Sequence, residues 1–296
     1  MWFMLGHSET SHVAPIIGYH RAPLSQKFGA PRQPNLVALI SVIEMLAPYD
    51  TPAAFVGLEG FSHIWISWQF HHNYLYKANS INKLSQSNQS KKKEHTTTAN
   101  EATFRPQVRP PRLGGNRKIG VFASRSMYRP SGLGLSVVKL ERVEVAEGRV
   151  LLMISGADMI DGTPIIDIKP YVAYSDALIS ADSGFAASVP TLLTVTMTVQ
   201  VRDQFVKIIS DGQDYRDRNK TSDKNSSLTA IIYTYQTQLI EADIDYINTL
   251  IAQDPRPAYR REELNKPFVM RYKNVDVSFQ MIGERQLQIT NVSNIN

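Results

Sequence analysis

The 296-residue sequence contains no cysteine. This absence excludes a disulfide framework, a thiolate metal site and a cysteine nucleophile, and it makes the cytoplasm the expected compartment. No segment approaches the ~20 consecutive apolar residues that a membrane span requires. The opening residues also lack the basic stretch that begins a signal peptide. The sequence therefore predicts a soluble, unexported protein that does not span a membrane.

Acidic residues are missing from one stretch that is rich in basic ones. The whole chain has 32 Lys+Arg and 27 Asp+Glu, a net charge of +5. The stretch from residue 105 to 129, here called the basic segment, has seven basic residues and no acidic one: Arg105, Arg109, Arg112, Arg117, Lys118, Arg125 and Arg129. Arginine mixed with proline and glycine suits phosphate or carboxylate contacts from a held loop. The alternative is a solvated face that serves solubility.

The chain also lacks the alternation of strands and helices typical of nucleotide-binding folds, and no G-x-G-x-x-G opens a helix. These absences argue against a doubly wound fold. Strand-like runs are present instead, in "FSHIWISWQFH" and "TPIIDIKPY", and "VEVAEGRVLLMIS" is typical of a hairpin turning at 146–148. Closely spaced strands with short turns predict a mainly β fold, a single-sheet, mostly antiparallel barrel.

The second part of the chain has a different pattern. "LTVTMTVQV" alternates like a strand from Leu193 to Val201, and apolar residues then recur at helical spacing from Ile240 to Ile251. "FVMRYKNVDVSFQMI" predicts a hairpin around Lys273 and Asn274. We therefore expect a barrel domain at 1–180 and a small α+β module at 181–296. Two polar, low-complexity stretches, at about 77–102 and 210–227, are expected to be insertions.

Six phrases occur in order across both halves: "KFGAPRQP", "GLEGFSHIWI", "VRPPRLGGNRKIGVFASRS", "RPSGLGLSVVKL", "DGTPIIDIKPY" and "DPRPAYR". Together they resemble the TsaA-like β-barrel family, specifically its TrmO-type tRNA (adenine-N6)-methyltransferases. The resemblance implies a homodimeric enzyme that uses S-adenosyl-L-methionine to methylate N6 of threonylcarbamoyl-adenosine at position 37, in the anticodon loop of a threonine tRNA. One departure is visible, because residues 129–134 read Arg-Pro-Ser-Gly-Leu-Gly where relatives commonly read Arg-Pro-Asn-Pro-Ile-Gly. Glycine predicts a more flexible loop there and a lower cofactor affinity.

The resemblance also implies a set of cofactor-binding residues: Pro31, Arg32, Gln33, His71, His72, Arg125, Leu135, Ile160, Asp161, Gly162 and Thr163. Arg125 offers a fork for the methionine carboxylate, and Asp161 can accept from the ribose diol or the ammonium group. Leu135 would supply an apolar wall. Each residue taken singly has a structural alternative, since Arg125 could be an ion-pair partner and the Asp-Gly-Thr sequence a simple turn. The histidines have no third ligand cluster beside them, so no metal site is predicted.

The candidate catalytic residues lie in "IIDIKPY". The acceptor N6 has a lone pair delocalised into the ring and the carbamoyl group, so removal of its proton would help the reaction. Asp167 and Tyr171 are candidates for that base, and Lys169 could neutralise charge on the carbamoyl oxygen or the threonyl carboxylate. The alternative is that Asp167 and Lys169, two residues apart on a strand, form only a same-face ion pair.

Recognition of RNA has two candidate regions, the basic segment and "DPRPAYR" near the C-terminus. Arg256, Tyr259 and Arg260 could contact an anticodon loop. The alternative is that Asp254 and Arg256 only pair to cap the helix while Tyr259 packs beneath. Two other functions remain open on these motifs. One is a barrel that methylates a small molecule, and the other is a non-catalytic barrel that binds S-adenosylmethionine or RNA.

Overall fold

The computed structural model describes residues 13–71, 104–219 and 227–295. Six strands close into an antiparallel barrel in the order β1-β2-β7-β6-β3-β8. They are β1 (Gly18–Arg21), β2 (Ile40–Met45), β3 (His63–Gln69), β6 (Leu133–Ala146), β7 (Arg149–Ser155) and β8 (Pro164–Pro170). A separate two-stranded ribbon joins β4 (Gln107–Val108) to β5 (Ile119–Gly120). The mainly β fold with an antiparallel barrel is confirmed.

The barrel core follows from the alternation of side chains along each strand. In β3 the inward residues Ile64, Ile66 and Trp68 are buried, and their neighbours are partly exposed. The predicted hairpin is confirmed, with Glu147 and Gly148 at positive φ of 54° and 75° between β6 and β7. Two consecutive residues with positive φ suit the twist of a tight hairpin. The short-range pattern of the sequence therefore determines much of the barrel.

A second sheet has the order β10-β11-β12-β9, with β9 parallel to β12. Its strands are β9 (Thr194–Met197), β10 (Phe268–Tyr272), β11 (Val275–Gly283) and β12 (Gln286–Asn294). The described helices are α1 (Ala173–Asp176), α2 (Val199–Asn219), α3 (Leu228–Thr237) and α4 (Ala242–Ala252). Among them, none has both the length and the apolarity needed to cross a bilayer. The predicted α+β module and its hairpin at Lys273 are confirmed.

The structure corrects the boundaries predicted around the first helix of this module. The strand expected at Leu193–Val201 ends at Met197, and α2 begins two residues later. The helix runs to Asn219, so the first part of the insertion expected at 210–227 is helical. Its buried residues Val201, Phe205 and Ile209 recur every four residues, which anchors the helix ahead of the polar stretch. Residues 220–226, like the insertion expected at 77–102, lie outside the described residues.

The two parts of the chain share a hydrophobic core. Residues 22–39, which connect β1 to β2 and are here called the connecting segment, contribute Leu24, Val37 and Leu39 to the core of the second sheet. Phe28 stacks on Phe268, with ring centroids 6.3 Å apart. The chain before residue 180 therefore contributes side chains to the core of the C-terminal module.

Helix α3 gives a second contact between the parts. Its residue Leu228 packs with Val42, Leu151 and Met153 on the outer side of β2 and β7. These strand residues are wholly buried, although they face away from the barrel interior. The barrel and the module are thus joined on two sides.

We expect Gly134→Ala to destabilise the barrel by about 1 to 3 kcal/mol, the usual cost of overpacking a core. Gly134 faces the Trp68 indole, and an added Cβ would clash with that ring. Gly212→Ala is the control, because a Cβ at this helical position meets no atom within 4 Å. It should raise stability by up to about 1 kcal/mol. Thermal melting of both variants checks this, and an unchanged melting temperature for Gly134→Ala would contradict it.

His20 makes the stability depend on acid pH. Its ring is buried on β1, where Nδ1–H donates to the Ile160 carbonyl at 3.2 Å and Nε2 accepts from Ser41 Oγ at 2.7 Å. Burial lowers the pKa of His20 from 6.5 to about 4, opposed by the Ile160 carbonyl and Asp161 and assisted by Arg21. The stabilisation by neutral His20 is therefore complete above about pH 6.5 and is lost as the pH falls towards 4. The loss is about 1.4 kcal/mol per pH unit, roughly 3 kcal/mol in total.

We expect His20→Gln to reduce this dependence, because an amide does not titrate. The measurement is the free energy of unfolding by urea between pH 7 and pH 4. The variant should lose less stability than the wild type over this range. Equal losses in both proteins would show that His20 does not control the acid response.

Candidate functional site

The segments that carry the predicted cofactor residues meet at one rim of the barrel. The end of β3 and the start of β6 lie side by side there, because Gln69 pairs with Leu133. Strand β8 starts beside the end of β3, and β1 and β7 end at the same rim. The connecting segment and residues 156–163 therefore emerge together. We call this edge the candidate rim.

Arg125 and Gln33 are in direct contact at the candidate rim. Arg125 Nη1 donates to Gln33 Oε1 at 2.6 Å, although the residues are 92 positions apart in the sequence. Arg125 is exposed, so its guanidinium is accessible to an anion. The structure thus unites two residues that the sequence placed in one site.

Asp158 is a carboxylate at this rim that the sequence analysis did not identify. It accepts a hydrogen bond from Ser136 Oγ at 2.6 Å, and Ser136 Oγ accepts one from Trp68 Nε1 at 3.0 Å. Burial raises the pKa of Asp158, and the Ser136 hydrogen bond and the charge of Arg125 partly offset that rise. A polar chain thus extends from the barrel interior to the surroundings of Arg125. The only signal for Asp158 in the sequence was its position three residues before Asp161.

Asp161 and Gly162 hold the loop after β7 to other elements. Asp161 Oδ1 accepts from the Ala22 amide at 2.9 Å and from Gln236 Nε2 of α3 at 2.6 Å. Gly162 has φ of 74°, and a Cβ there would lie 3.8 Å from Nε2 of His71. The positive φ is what favours glycine here, since a Cβ at that distance from His71 would make only an ordinary contact. Predicted residue His72 lies outside the described residues. Nothing in the sequence around Gln236 marked it as a partner of the site.

Three of the predicted cofactor-binding residues are buried beneath the candidate rim. Pro31, Ile160 and Thr163 are buried. The Thr163 hydroxyl donates to the Ile160 carbonyl at 2.7 Å, and the Thr163 carbonyl accepts from the His20 amide at 2.9 Å. The polar groups of Thr163 are therefore engaged by its own loop and by β1.

Arg32 contacts the C-terminal module. Its Nη2 donates to the Asp254 carbonyl at 3.1 Å. Burial and the neighbouring charge of Arg261 lower the pKa of Arg32, and Asp254 opposes this effect. The adjacent residue Gln33 contacts Arg125 instead. The role of Arg32 in cofactor binding stays a prediction.

Leu135 and Asp167 lie at the same level of the outer barrel face. Ser67 of β3 pairs with Leu135 on one side and with Asp167 on the other. Since adjacent strands are about 4.8 Å apart, the Cα atoms of Leu135 and Asp167 are separated by about 10 Å. Leu135 is 54% exposed, and Asp167 is also exposed. An apolar side chain and a carboxylate thus flank an open strip of sheet.

Lys169 and Tyr171 lie progressively farther from the candidate rim. Lys169 Nζ is 5.8 Å from the centroid of the Trp65 ring. Among the residues that the structure describes, no ion pair joins Lys169 to Asp167. The Tyr171 amide donates to the His63 carbonyl at the opposite rim. At about 3.3 Å per residue, Tyr171 is about 26 Å from Thr163 along β8. The structure therefore does not bring Tyr171 to the cofactor residues.

The loop that departs from the family pattern forms a defined turn. Gly132 has φ of 60°, its amide donates to the Arg129 carbonyl, and its carbonyl accepts from the Phe70 amide, both at 2.9 Å. Proline, which the family resemblance leads us to expect at this position, is restricted to φ near −65° and could not adopt this conformation. The turn consequently differs from that of a chain with proline here.

The basic segment begins and ends beside the candidate rim, because it leads directly into β6. The Arg105 guanidinium lies 4.9 Å from the centroid of the Tyr128 ring, and Arg129 donates to the Leu133 carbonyl. These contacts hold part of the segment in place. Its excess of positive charge is therefore presented next to the predicted cofactor residues.

The C-terminal "DPRPAYR" loop combines a buried ion pair with an exposed aromatic ring. Arg256 is 0% exposed and its Nε donates to Asp254 Oδ1 at 2.8 Å. The predicted RNA contact by Arg256 is wrong, because a wholly buried guanidinium cannot reach a phosphate, and its predicted pairing with Asp254 is confirmed. The packing of Tyr259 beneath the loop, part of the same alternative, is wrong, because Tyr259 remains 86% exposed. Arg260 donates to Glu263 at 2.8 Å.

Comparison with known proteins gives consistent matches over both parts of the chain. The family model "tRNA-methyltransferase O N-terminal domain" matches residues 19–177, and "TrmO C-terminal domain" matches residues 225–295. The Escherichia coli K12 tRNA (adenine(37)-N6)-methyltransferase is 33% identical over 277 residues, which cover 90% of this chain and 95% of that protein.

A Pseudomonas aeruginosa protein with the provisional description S-adenosylmethionine-dependent methyltransferase RcsF is 36% identical over 269 residues, 90% of this chain and 91% of that protein. The crystal structure of TrmO from Pseudomonas aeruginosa superposes with a TM-score of 0.65 at 28% identity, covering 96% of this chain and 99% of that chain. The resemblance inferred from the six phrases is confirmed. Because the N-terminal family model alone spans more than half of the chain, and the C-terminal model follows it in order, the chain belongs to the tRNA-methyltransferase O (TrmO) family.

Proposed function

We propose that this chain is an S-adenosylmethionine-dependent tRNA methyltransferase that acts on N6 of the adenosine at position 37, in the form of threonylcarbamoyl-adenosine. The observation that carries the proposal is the convergence at the candidate rim. The Arg125–Gln33 pair, Gly162 with the His71 ring on its open side, and the end of the basic segment all lie there. A small zwitterionic cofactor and an RNA phosphate backbone can therefore be held next to each other.

The residues at the candidate rim fit S-adenosylmethionine. The exposed fork of Arg125 suits the methionine carboxylate, and the carboxylates of Asp158 and Asp161 suit the ammonium group or the ribose diol. Gly162 lacks a Cβ that would otherwise fill the space towards His71. When bound, the cofactor supplies an electrophilic methyl group on a sulfonium centre. The protein's main contribution is then to align the acceptor and exclude water.

The acceptor adenosine fits the open strip between Leu135 and Asp167. Asp167 is exposed at the level of Leu135, where it could accept the N6 proton. Lys169 lies one pleat farther along the same face, where its charge suits the threonyl carboxylate. Tyr171 is too distant from the candidate rim to serve as the base within one chain, so we assign that role to Asp167.

The proposal includes a homodimer, a threonine tRNA as substrate and a cytoplasmic location. The homodimer rests partly on the chain between the barrel and the module. There the side chains of Tyr174, Leu178 and Ile179 are 94%, 74% and 99% exposed. Contiguous exposed apolar side chains favour burial against a second copy. The other two follow from the family resemblance and from where tRNA is matured.

The alternative of a small-molecule methyltransferase is less consistent with the structure. The basic segment and a C-terminal module packed into the barrel's connecting segment would have no role in such a reaction. A non-catalytic barrel would bind the same ligands as the proposed enzyme, and it would differ only in transferring no methyl group.

We expect Arg125→Ala to weaken S-adenosylmethionine binding by about 1.5 to 3 kcal/mol, the range for a charged hydrogen bond. That change corresponds to roughly 10- to 150-fold in Kd. Arg117→Ala is the control, because Arg117 is another exposed arginine of the basic segment. It should keep the cofactor affinity and lower the salt dependence of tRNA binding. Calorimetric titration tests both, and wild-type cofactor affinity in Arg125→Ala would remove that residue from the site.

Light scattering should give about twice the chain mass of 33.3 kDa. We expect Ile179→Glu to shift the protein towards monomer, because a carboxylate would be buried in the contact. Val206→Glu, at a 57% exposed position on α2, should leave the mass unchanged. A strictly monomeric wild type that still methylates tRNA would contradict the proposed dimer.

A further inference from the structure

Phe122 is an exposed aromatic residue on a fixed piece of backbone. It lies in a short turn between β5 and Arg125, and its side chain is 74% exposed. The preceding residue, Val121, is 1% exposed, and the Val121 carbonyl accepts from Ser124 Oγ at 2.8 Å. The turn is thus anchored on one side of the chain while the Phe122 ring faces solvent. The ring therefore offers apolar surface that a ligand could cover.

A second exposed ring lies next to it. Phe104 is 45% exposed, and its centroid is 6.4 Å from that of Phe122 with the planes inclined by 34°. Phe104 precedes β4 and Phe122 follows β5, and because these strands are antiparallel, both rings lie at the same end of the ribbon. Together they form an exposed aromatic surface.

The charge around these rings indicates the chemistry of the partner. Phe122 lies within the basic segment and Phe104 directly precedes it, and no acidic residue occurs in that segment. A cationic surface with exposed aromatic rings is typical of proteins that bind unpaired nucleotides, where arginines contact phosphates and rings stack on bases. A neutral apolar partner would not account for the excess of positive charge.

Phe122 lies close to the place where the reacting nucleotide must bind. It is three residues from Arg125, so the two Cα atoms are at most about 11 Å apart. Arg125 is the proposed cofactor contact, and the acceptor base must lie next to the cofactor. A base stacked on Phe122 would therefore be a close neighbour of the acceptor.

We propose that Phe122, supported by Phe104, stacks on an unpaired base of the anticodon loop beside the methylated adenosine. Stacking would hold the loop in an opened form that leaves the acceptor base accessible to the outer barrel face. This inference rests on the proposed function, because it takes tRNA to be the substrate.

The test compares Phe122→Ala, Phe122→Leu and Phe122→Tyr with the wild type. Binding of a labelled anticodon stem-loop with threonylcarbamoyl-adenosine is measured by fluorescence anisotropy at several salt concentrations. Phe122→Ala should weaken binding by about 5- to 150-fold, the range for one stacked base. Leucine should behave almost like alanine, and tyrosine should keep the affinity because it keeps the ring.

Three readouts distinguish stacking from other roles. The slope of log affinity against log salt should stay unchanged in Phe122→Ala, because no phosphate contact is removed. Its S-adenosylmethionine affinity and its mass by light scattering should also match the wild type. Tyr233→Ala is the matched control, since Tyr233 is 58% exposed on α3, outside the basic segment. That variant should bind the stem-loop normally.

Wild-type RNA affinity in Phe122→Ala would overturn the proposal. So would a loss of cofactor affinity, which would place the ring against the cofactor's adenine, or a change to monomer, which would make it a subunit contact. Melting temperatures confirm that the variants are folded. If the wild type methylates tRNA and Phe122→Ala matches its kcat/KM, stacking fails alone. If the wild type neither binds nor methylates tRNA, the proposed function fails and stacking fails with it.

Discussion

The packing of the connecting segment into the core of the C-terminal module is the contact on which the arrangement of the site depends. Phe28 lies 6.2 Å from Phe279 and also stacks on Phe268, and Leu24 is wholly buried among the same side chains. The segment starts at the end of β1 and carries Gln33 to Arg125. Loss of this packing would free one side of the candidate rim. The barrel alone thus supplies the strands, and the module fixes the loops that complete the site.

The polar contacts at the candidate rim extend this coupling. Gln236 of α3 and the Ala22 amide share one carboxylate oxygen of Asp161, so the loop after β7 is held by both parts of the chain. Asp158 accepts its hydrogen bond from Ser136, the buried residue that follows Leu135 on β6. A shift of Asp158 or Asp161 would therefore change a contact with another element. A site assembled in this way is preorganised for a ligand, and preorganisation reduces the entropic cost of binding.

The sequence predicted those features that local patterns determine. Alternation along β3 and positive φ at Glu147 and Gly148 are local, and they located the barrel strands and their hairpin. The sequence could not distinguish a buried Arg256 from an exposed one, because a cap and an RNA contact need the same residues. It also missed Asp158 and Gln236, whose roles arise only when strands and helices distant in sequence come together. The helical extension of α2 was missed because the apolar residues that anchor it precede the polar stretch.

At the candidate rim, a methyl group is proposed to pass from S-adenosylmethionine to threonylcarbamoyl-adenosine at position 37 of tRNA. The most direct measurement incubates the protein with methyl-labelled S-adenosylmethionine and two preparations of one tRNA, with and without the threonylcarbamoyl group. The tRNA is then digested to nucleosides, which are separated and identified by mass. We expect label on N6 of threonylcarbamoyl-adenosine from the first preparation and none on the adenosine of the second. Equal labelling of both preparations, label at another nucleoside, or no incorporation into tRNA would contradict it.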